Sequence, residues 1–209
     1  MIAAYGQRAC RLVLASVSPR RKQILREAGF AFEAIDPGEV EDAIAAAHCP
    51  ESLAIAKARA KAEVVVVGVP PPYPVVVVAV DTLVAHGDTV IGKPQDRTDA
   101  VAILSRLSGT RHRVISGLCL WPILATGVSL APKLATETTW VKMRKMSAEE
   151  IAAYVASGEA DGKAGAYAVQ ETGDRFVEKI EGSFLNIVGF PLELFKMLLS
   201  QTLDEVLGK

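Results

Sequence analysis

A chain of 209 residues is long enough for one domain or for two small lobes sharing a core. Half of it is hydrophobic, too apolar for a disordered chain, and the core has to be built from Val, Ala, Leu and Ile because only 6% is aromatic. A formal net charge of -1 excludes a global basic field, so any anion site is local; the low aromatic content also disfavours a base-stacking nucleic-acid binder. Cys10, Cys49 and Cys119 are far apart, odd in number and outside any CxxC pair, which points to reduced cytosolic thiols rather than a disulfide framework or a zinc site. His48, His86 and His112 are equally scattered. Residues 1–14 lack a long apolar core and carry Arg8 and Arg11, unlike a signal peptide. The expected location is therefore the cytoplasm, with no membrane and no nucleic acid as partner.

In chain order, Leu12 to Ala15 predicts a short buried strand that runs into a helix. Ser18 suits its N-cap, Pro19 its first position and Gly29 its end. Residues 52–63 predict a second, Ala-rich helix. The Val-rich stretch 64–80 is broken by Pro70, Pro71, Pro72 and Pro74, so it reads as two short buried strands around a loop rather than a membrane helix. The second of these, 75–80, has the continuous β-branched run of a strand covered on both faces, with Asp81-Thr82 at its carboxyl end. Residues 83–91 predict a hairpin turning at Gly87-Asp88, and 99–107 a helix closed by Gly109. Strands are expected over 113–120 and around 135–141. Ser147 and Glu150 form a capping box for a helix carrying Ile151, Tyr154 and Val155 inward and ending at Gly158. A Gly-rich loop to Gly165, short strands around Tyr167 and Phe176, and a last helix opened by Pro191 complete the chain. Strands alternating with helices early and pairing as hairpins later predict an α/β fold, a mixed sheet flanked by helices in a single domain over 1–209.

Five places carry candidate chemistry. Ser16-Val17-Ser18-Pro19-Arg20-Arg21 joins a strand to a helix start, where outward amides and the helix dipole favour an anion and two guanidiniums can fork onto phosphate; the same residues also make a plain capped helix with solvated arginines. Asp81 at a strand end suits a ligand site, and suits equally a turn residue bonding its own backbone. Thr82 beside it offers a hydroxyl. The acidic patch Glu39, Glu41, Asp42 has the oxygen chemistry of Mg²⁺ ligands or of a solvated loop. Lys57 sits on the second, Ala-rich helix, where a lysine usually belongs to a solvated face, and Lys93 lies in a rigid Gly92-Lys93-Pro94 turn that would aim its amine. Around Gly162 and Gly165 the backbone can approach a ligand closely, and Gln170 has the donor and acceptor that reading a base edge requires; the same residues also make a tight connection with an exposed Gln.

The ordered set of segments resembles the Maf family of nucleotide pyrophosphatases, also called septum formation inhibitor proteins. It comprises Leu14-Ala15-Ser16-Val17-Ser18-Pro19-Arg20-Arg21, Asp81-Thr82, Gly92-Lys93-Pro94, Lys163-Ala164-Gly165-Ala166-Tyr167 with Gln170, Glu178-Lys179-Ile180-Glu181-Gly182, and Asn186 to Pro191. Each piece is weak alone; the set in order spans nearly the whole chain. The resemblance implies a fold similar to that of inosine triphosphate pyrophosphatases, with a deep cleft between two lobes. It also implies cleavage between the α and β phosphates, a divalent metal (Mg²⁺ or Mn²⁺) and a homodimer. By motif, Asp81 resembles the family's catalytic base and a metal contact. Ser16, Arg20, Arg21, Lys57 and Lys93 resemble its phosphate-contacting residues. Arg20, Thr82 and Gln170 match the dTTP/UTP-preferring type, whereas members acting on 7-methyl-GTP carry Trp in place of Arg20. Asp42 stands where a Glu metal contact is usual, Val80 stands where Ala is common, Gly162 is an extra residue, and the segments 69–74 and 121–132 are longer than typical. The rival of a different class is a non-catalytic nucleotide-binding regulator of cell division, which would keep the Ser-Arg anion site without requiring Asp81.

Overall fold

The computed structural model of the protein describes residues 10–40, 44, 48–70, 72, 74–169 and 172–208. Among these, seven strands form one mixed sheet in the order β2-β1-β3-β5-β6-β7, with β4 paired to β3. The strands are β1 (Arg11–Ala15), β2 (Glu33–Ile35), β3 (Val75–His86), β4 (Thr89–Ile91), β5 (Arg111–Ile123), β6 (Lys133–Met143) and β7 (Val177–Glu181). The helices are α1 (Pro19–Glu27), α2 (Pro50–Gly68), α3 (Arg97–Leu107), α4 (Ala148–Ala156), α5 (Phe184–Val188) and α6 (Leu192–Leu207). Strand β1 is parallel to both β2 and β3, while β4 on β3 and β7 on β6 are antiparallel. This is the mixed sheet flanked by helices that the strand–helix alternation predicts. Among the described residues no helix is long and apolar enough to cross a membrane.

The chain divides into two compact units, one of residues 1–81, 116–137 and 189–209, the other of 82–115 and 138–188. Each has its own core. In the first, Ala58, Ala62 and Val65 of α2 pack on Val13 and Ala15 of β1, Val75, Val77 and Ala79 of β3, and Cys119 of β5. Period-two alternation explains the set: the odd-numbered residues of β3 share the face that α2 covers. The approach is close at Gly117, where a Cβ would stand 2.2 Å from the Ala54 backbone, so only glycine fits beneath the helix. Phe195 of α6 meets Phe30 and Phe190 edge to face at 5.2 and 5.3 Å. In the second unit, Leu104 and Leu107 of α3 and Ile151, Tyr154 and Val155 of α4 cluster with Val84, Val114, Val141 and Phe176. The α4 capping box forms as its sequence predicts: Ser147 Oγ accepts from the Glu150 amide at 3.2 Å and Glu150 Oε2 from the Ser147 amide at 2.9 Å.

Several elements differ from expectation. Residues 64–67 are not a strand; they are the last turn of α2. An established helix gains one hydrogen bond per added residue, and a β-branched residue opposes this by no more than about 0.7 kcal/mol. The burial agrees, with Val65 3% exposed and Val67 87%. Asp81-Thr82 does not end its strand, because β3 continues to His86 and pairs there with Thr89 across the expected Gly87-Asp88 turn. Helix α3 starts two residues before Asp99, since Asp96 caps it by accepting from the Asp99 amide at 2.8 Å. Tyr167 is not in a strand, and Phe176 closes a short 3-10 turn over Thr172–Phe176 before β7 begins. There the chain turns at Gly165 (φ 75°) and Ala166 (φ 58°), and Gly173 packs so close to the Ala168 carbonyl that a Cβ would lie 2.5 Å from it. The short elements β2 and α5 had no expectation.

Candidate active site

Strand β1 delivers the first part of the site. Its register on β3, Leu14 against Val78, brings the carboxyl end of β1 level with the last apolar residues before Asp81. From there the chain turns into α1. Ser16 is buried, and its Oγ accepts from the Ser18 amide at 3.2 Å and from Arg21 Nη1 at 3.4 Å. Ser18 caps the helix by accepting from the Arg21 amide at 3.5 Å. Arg21 Nε donates to the Gly189 carbonyl at 3.0 Å, so this guanidinium is braced against the protein as well as standing at the helix start. Arg20 is half-buried. The arrangement is a helix N-terminus with two guanidiniums and a fixed serine, a ready receptor for an anion.

Strand β3 delivers the second part. Asp81 shares the parity of Val75, Val77 and Ala79 and therefore projects to the face that α2 covers. There it meets Lys61, whose Nζ lies 2.6 Å from Asp81 Oδ1, with the two residues 6% and 7% exposed. Asp81 is thus a buried member of an ion pair and not a turn residue. Lys57, half-buried, precedes Lys61 by one helical turn on the same side of α2. Lys61 escaped the sequence reading. Its signal was present: positions 54, 58, 61 and 65 fall at the 4-3-4 spacing of a buried helical stripe, and a lysine at one of them needs a partner.

The remaining candidates are placed as follows. Ser16, Arg20, Arg21, Lys57 and Asp81 all belong to the first unit; Thr82 and Lys93 belong to the second. Thr82 follows Asp81 on β3 and is half-buried. Lys93 is exposed at the rim of a groove of about 370 Å³ whose lining includes Ile91, Ile103, Asp99 and Arg106. The neighbouring Gly92 carbonyl accepts from the Gly165 amide at 3.1 Å, which ties the Lys93 turn to the late glycine loop. Gln170, Glu41 and Asp42 lie outside the described residues; Glu39 lies within them. Burial raises the thiols of Cys10 and Cys119 to about 11 and about 12, so neither is a ready nucleophile.

The described residues contain no group of three or more His, Cys, Asp or Glu able to hold a metal by themselves. A Mg²⁺ or Mn²⁺ ion held by one or two carboxylates plus substrate phosphates needs no such cage, and Asp81 fits that donor set.

A family model described as Maf-like protein matches residues 11–202. The chain belongs to the Maf family. Relatives named dTTP/UTP pyrophosphatase include one from Bdellovibrio bacteriovorus, 39% identical and covering 91% of this chain and 97% of its own. A second, from Aquifex aeolicus, is 42% identical over 90% and 94%, and a third, from Mesorhizobium japonicum, is 42% identical over 91% and 90%. Among solved structures the Maf chain is similar to a nucleoside-triphosphatase (dITP/XTP pyrophosphatase) of Mycobacterium abscessus, 14% identical over 65% of this chain and 75% of that one, with a TM-score of 0.36.

Proposed function

We propose that this protein hydrolyses nucleoside triphosphates, dTTP and UTP before others, to the monophosphate and pyrophosphate. The observation that carries the reading is Asp81, a carboxylate held by a lysine in an apolar strand, in the same unit as the α1 anion receptor. In this reading Asp81 takes the proton of a water that attacks the α-phosphorus. The bond to the bridging oxygen breaks and pyrophosphate leaves. The amides at the start of α1 and the guanidiniums of Arg20 and Arg21 receive phosphate oxygens, with Ser16 holding Arg21 in place. Lys57 and Lys93 offset charge that develops on the leaving group. Thr82 and Gln170 contact the base or shape its pocket and, with Arg20, set the preference for dTTP and UTP. When bound, Mg²⁺ or Mn²⁺ would neutralise phosphate charge and polarise the reacting centre, with Asp81, and Asp42 beyond the described residues, as its protein ligands. We further read the chain as one cytoplasmic domain, from its scattered cysteines and its strand–helix order, and as a homodimer, an expectation taken from the family resemblance.

The test is a nucleotide panel with purified protein and Mg²⁺ or Mn²⁺, measuring pyrophosphate and orthophosphate separately. The expected result is pyrophosphate, fastest from dTTP and UTP. Orthophosphate as the product would make the protein a phosphatase. No product from any nucleotide would leave the non-catalytic regulator of septum formation as the better reading.

A further inference from the structure

Lys61 is the charged residue in the otherwise apolar buried stripe of α2, among Leu53, Ala54, Ala58, Ala62 and Val65. Stability does not explain it. Taking an ammonium and a carboxylate out of water is expensive, and a well-packed apolar pair of similar volume is often as stable or more so. Its side chain is 7% exposed and its Nζ lies 2.6 Å from Asp81 Oδ1, so its charge is turned on the carboxylate rather than on solvent. The contact instead fixes one oxygen of the carboxylate to which the proposed chemistry assigns the water's proton.

We propose that Lys61 is a positioning residue for Asp81: its ammonium grips Oδ1 and orients the carboxylate so that Oδ2 is the oxygen that receives the proton. The inference rests on the reading of Asp81 as the base. A positioning role has a distinct kinetic signature. A base displaced by a fraction of its reach slows the chemical step and leaves nucleotide binding nearly intact, whereas loss of a phosphate contact raises KM.

The experiment is steady-state kinetics on Lys61→Met, Lys61→Arg, Asp81→Asn and the double variant Lys61→Met/Asp81→Asn, using dTTP with Mg²⁺ and thermal melts as a check on folding. Lys61→Met is expected to lower kcat by about 100-fold, the scale of a small misplacement, with little change in KM. Lys61→Arg, which keeps a cation at the carboxylate, is expected to recover most of kcat. In the Asp81→Asn background the Lys61→Met loss should disappear, because nothing remains to be oriented. Wild-type kcat in Lys61→Met, a loss confined to KM, or an equal loss in both backgrounds would overturn the proposal. If Lys61→Met does not fold, the decision passes to Lys61→Arg against Lys61→Gln: equal rates in two folded proteins would overturn it. An active Asp81→Asn enzyme would instead remove Asp81 from the mechanism. An inactive Asp81→Asn beside a fully active Lys61→Met would leave Asp81 standing and remove Lys61 alone.

Discussion

Each unit of the molecule buries a polar pair against its sheet, and the two pairs differ in charge. In the unit of residues 1–81, 116–137 and 189–209 the pair is Lys61 and Asp81, opposite charges 2.6 Å apart. In the unit of 82–115 and 138–188 it is His112 Nε2 and the Tyr167 hydroxyl, 2.7 Å apart. Burial, with a smaller push from His86, lowers the His112 imidazole to about 4, and burial raises the Tyr167 phenol, so at neutral pH this second pair carries no charge. A neutral hydrogen bond is an inexpensive way to tie a loop to a strand, whereas a buried ion pair is a poor way to gain stability. On the proposed reading the charged pair serves the chemistry, and the neutral pair serves the architecture.

The largest effect should come from breaking the charged pair at its acidic end. Asp81→Asn keeps the shape and an acceptor for Lys61 but removes the proton acceptor. Turnover should fall by about 10²–10⁴-fold, the usual contribution of a general base. Circular dichroism and the melting profile should still show a folded protein. Full activity in a folded Asp81→Asn protein would erase the functional half of the comparison.

The neutral pair should answer in stability. Tyr167→Phe leaves the buried His112 Nε2 without its partner, in a ring whose Nδ1 has no hydrogen-bond partner among the described residues. An orphaned buried polar group costs about 1–3 kcal/mol, to be read as a lower urea midpoint. An unchanged midpoint would mean that this contact does not hold the loop.

The comparison also shows what was legible in the sequence. Motif order and local signals placed Ser18 as a cap, Ser147 with Glu150 as a capping box and Gly87-Asp88 as a turn, because each of these rests on neighbours along the chain. The β-branched run over 75–80 marked a buried strand, but its end was invisible. Nothing local distinguishes an acidic residue that stops a strand from one that is paired inside it, and that difference depends on Lys61, twenty residues away. Val64 to Val67 misled for a related reason: their strand preference is weaker than the propagation of the helix that precedes them. Tyr167 misled because Gly165, Ala166 and Gly173 impose turns that alternation does not register.

The smallest effect is the dependence of stability on pH through His112. Its folded value is depressed to about 4, against about 6.5 for an imidazole in an unfolded chain. Between those values the unfolded chain binds a proton that the folded chain refuses, so stability rises with pH across the window and is lost as pH falls through it. Above pH of about 6.5 both states hold the neutral ring and the penalty vanishes. Carboxylates elsewhere titrate over part of the same range, so the comparison has to be made against His112→Phe, which cannot take up the proton. Whatever His112→Phe costs at pH 7, its disadvantage relative to the natural chain should shrink as pH is lowered toward the folded value, because only the natural chain pays for keeping the ring neutral. Urea midpoints of the two proteins at neutral and acidic pH measure this directly. A gap that stays constant would show that folded His112 takes up its proton as readily as the unfolded chain does, and the neutral pair would then lose its place as the uncharged counterpart of Lys61 and Asp81.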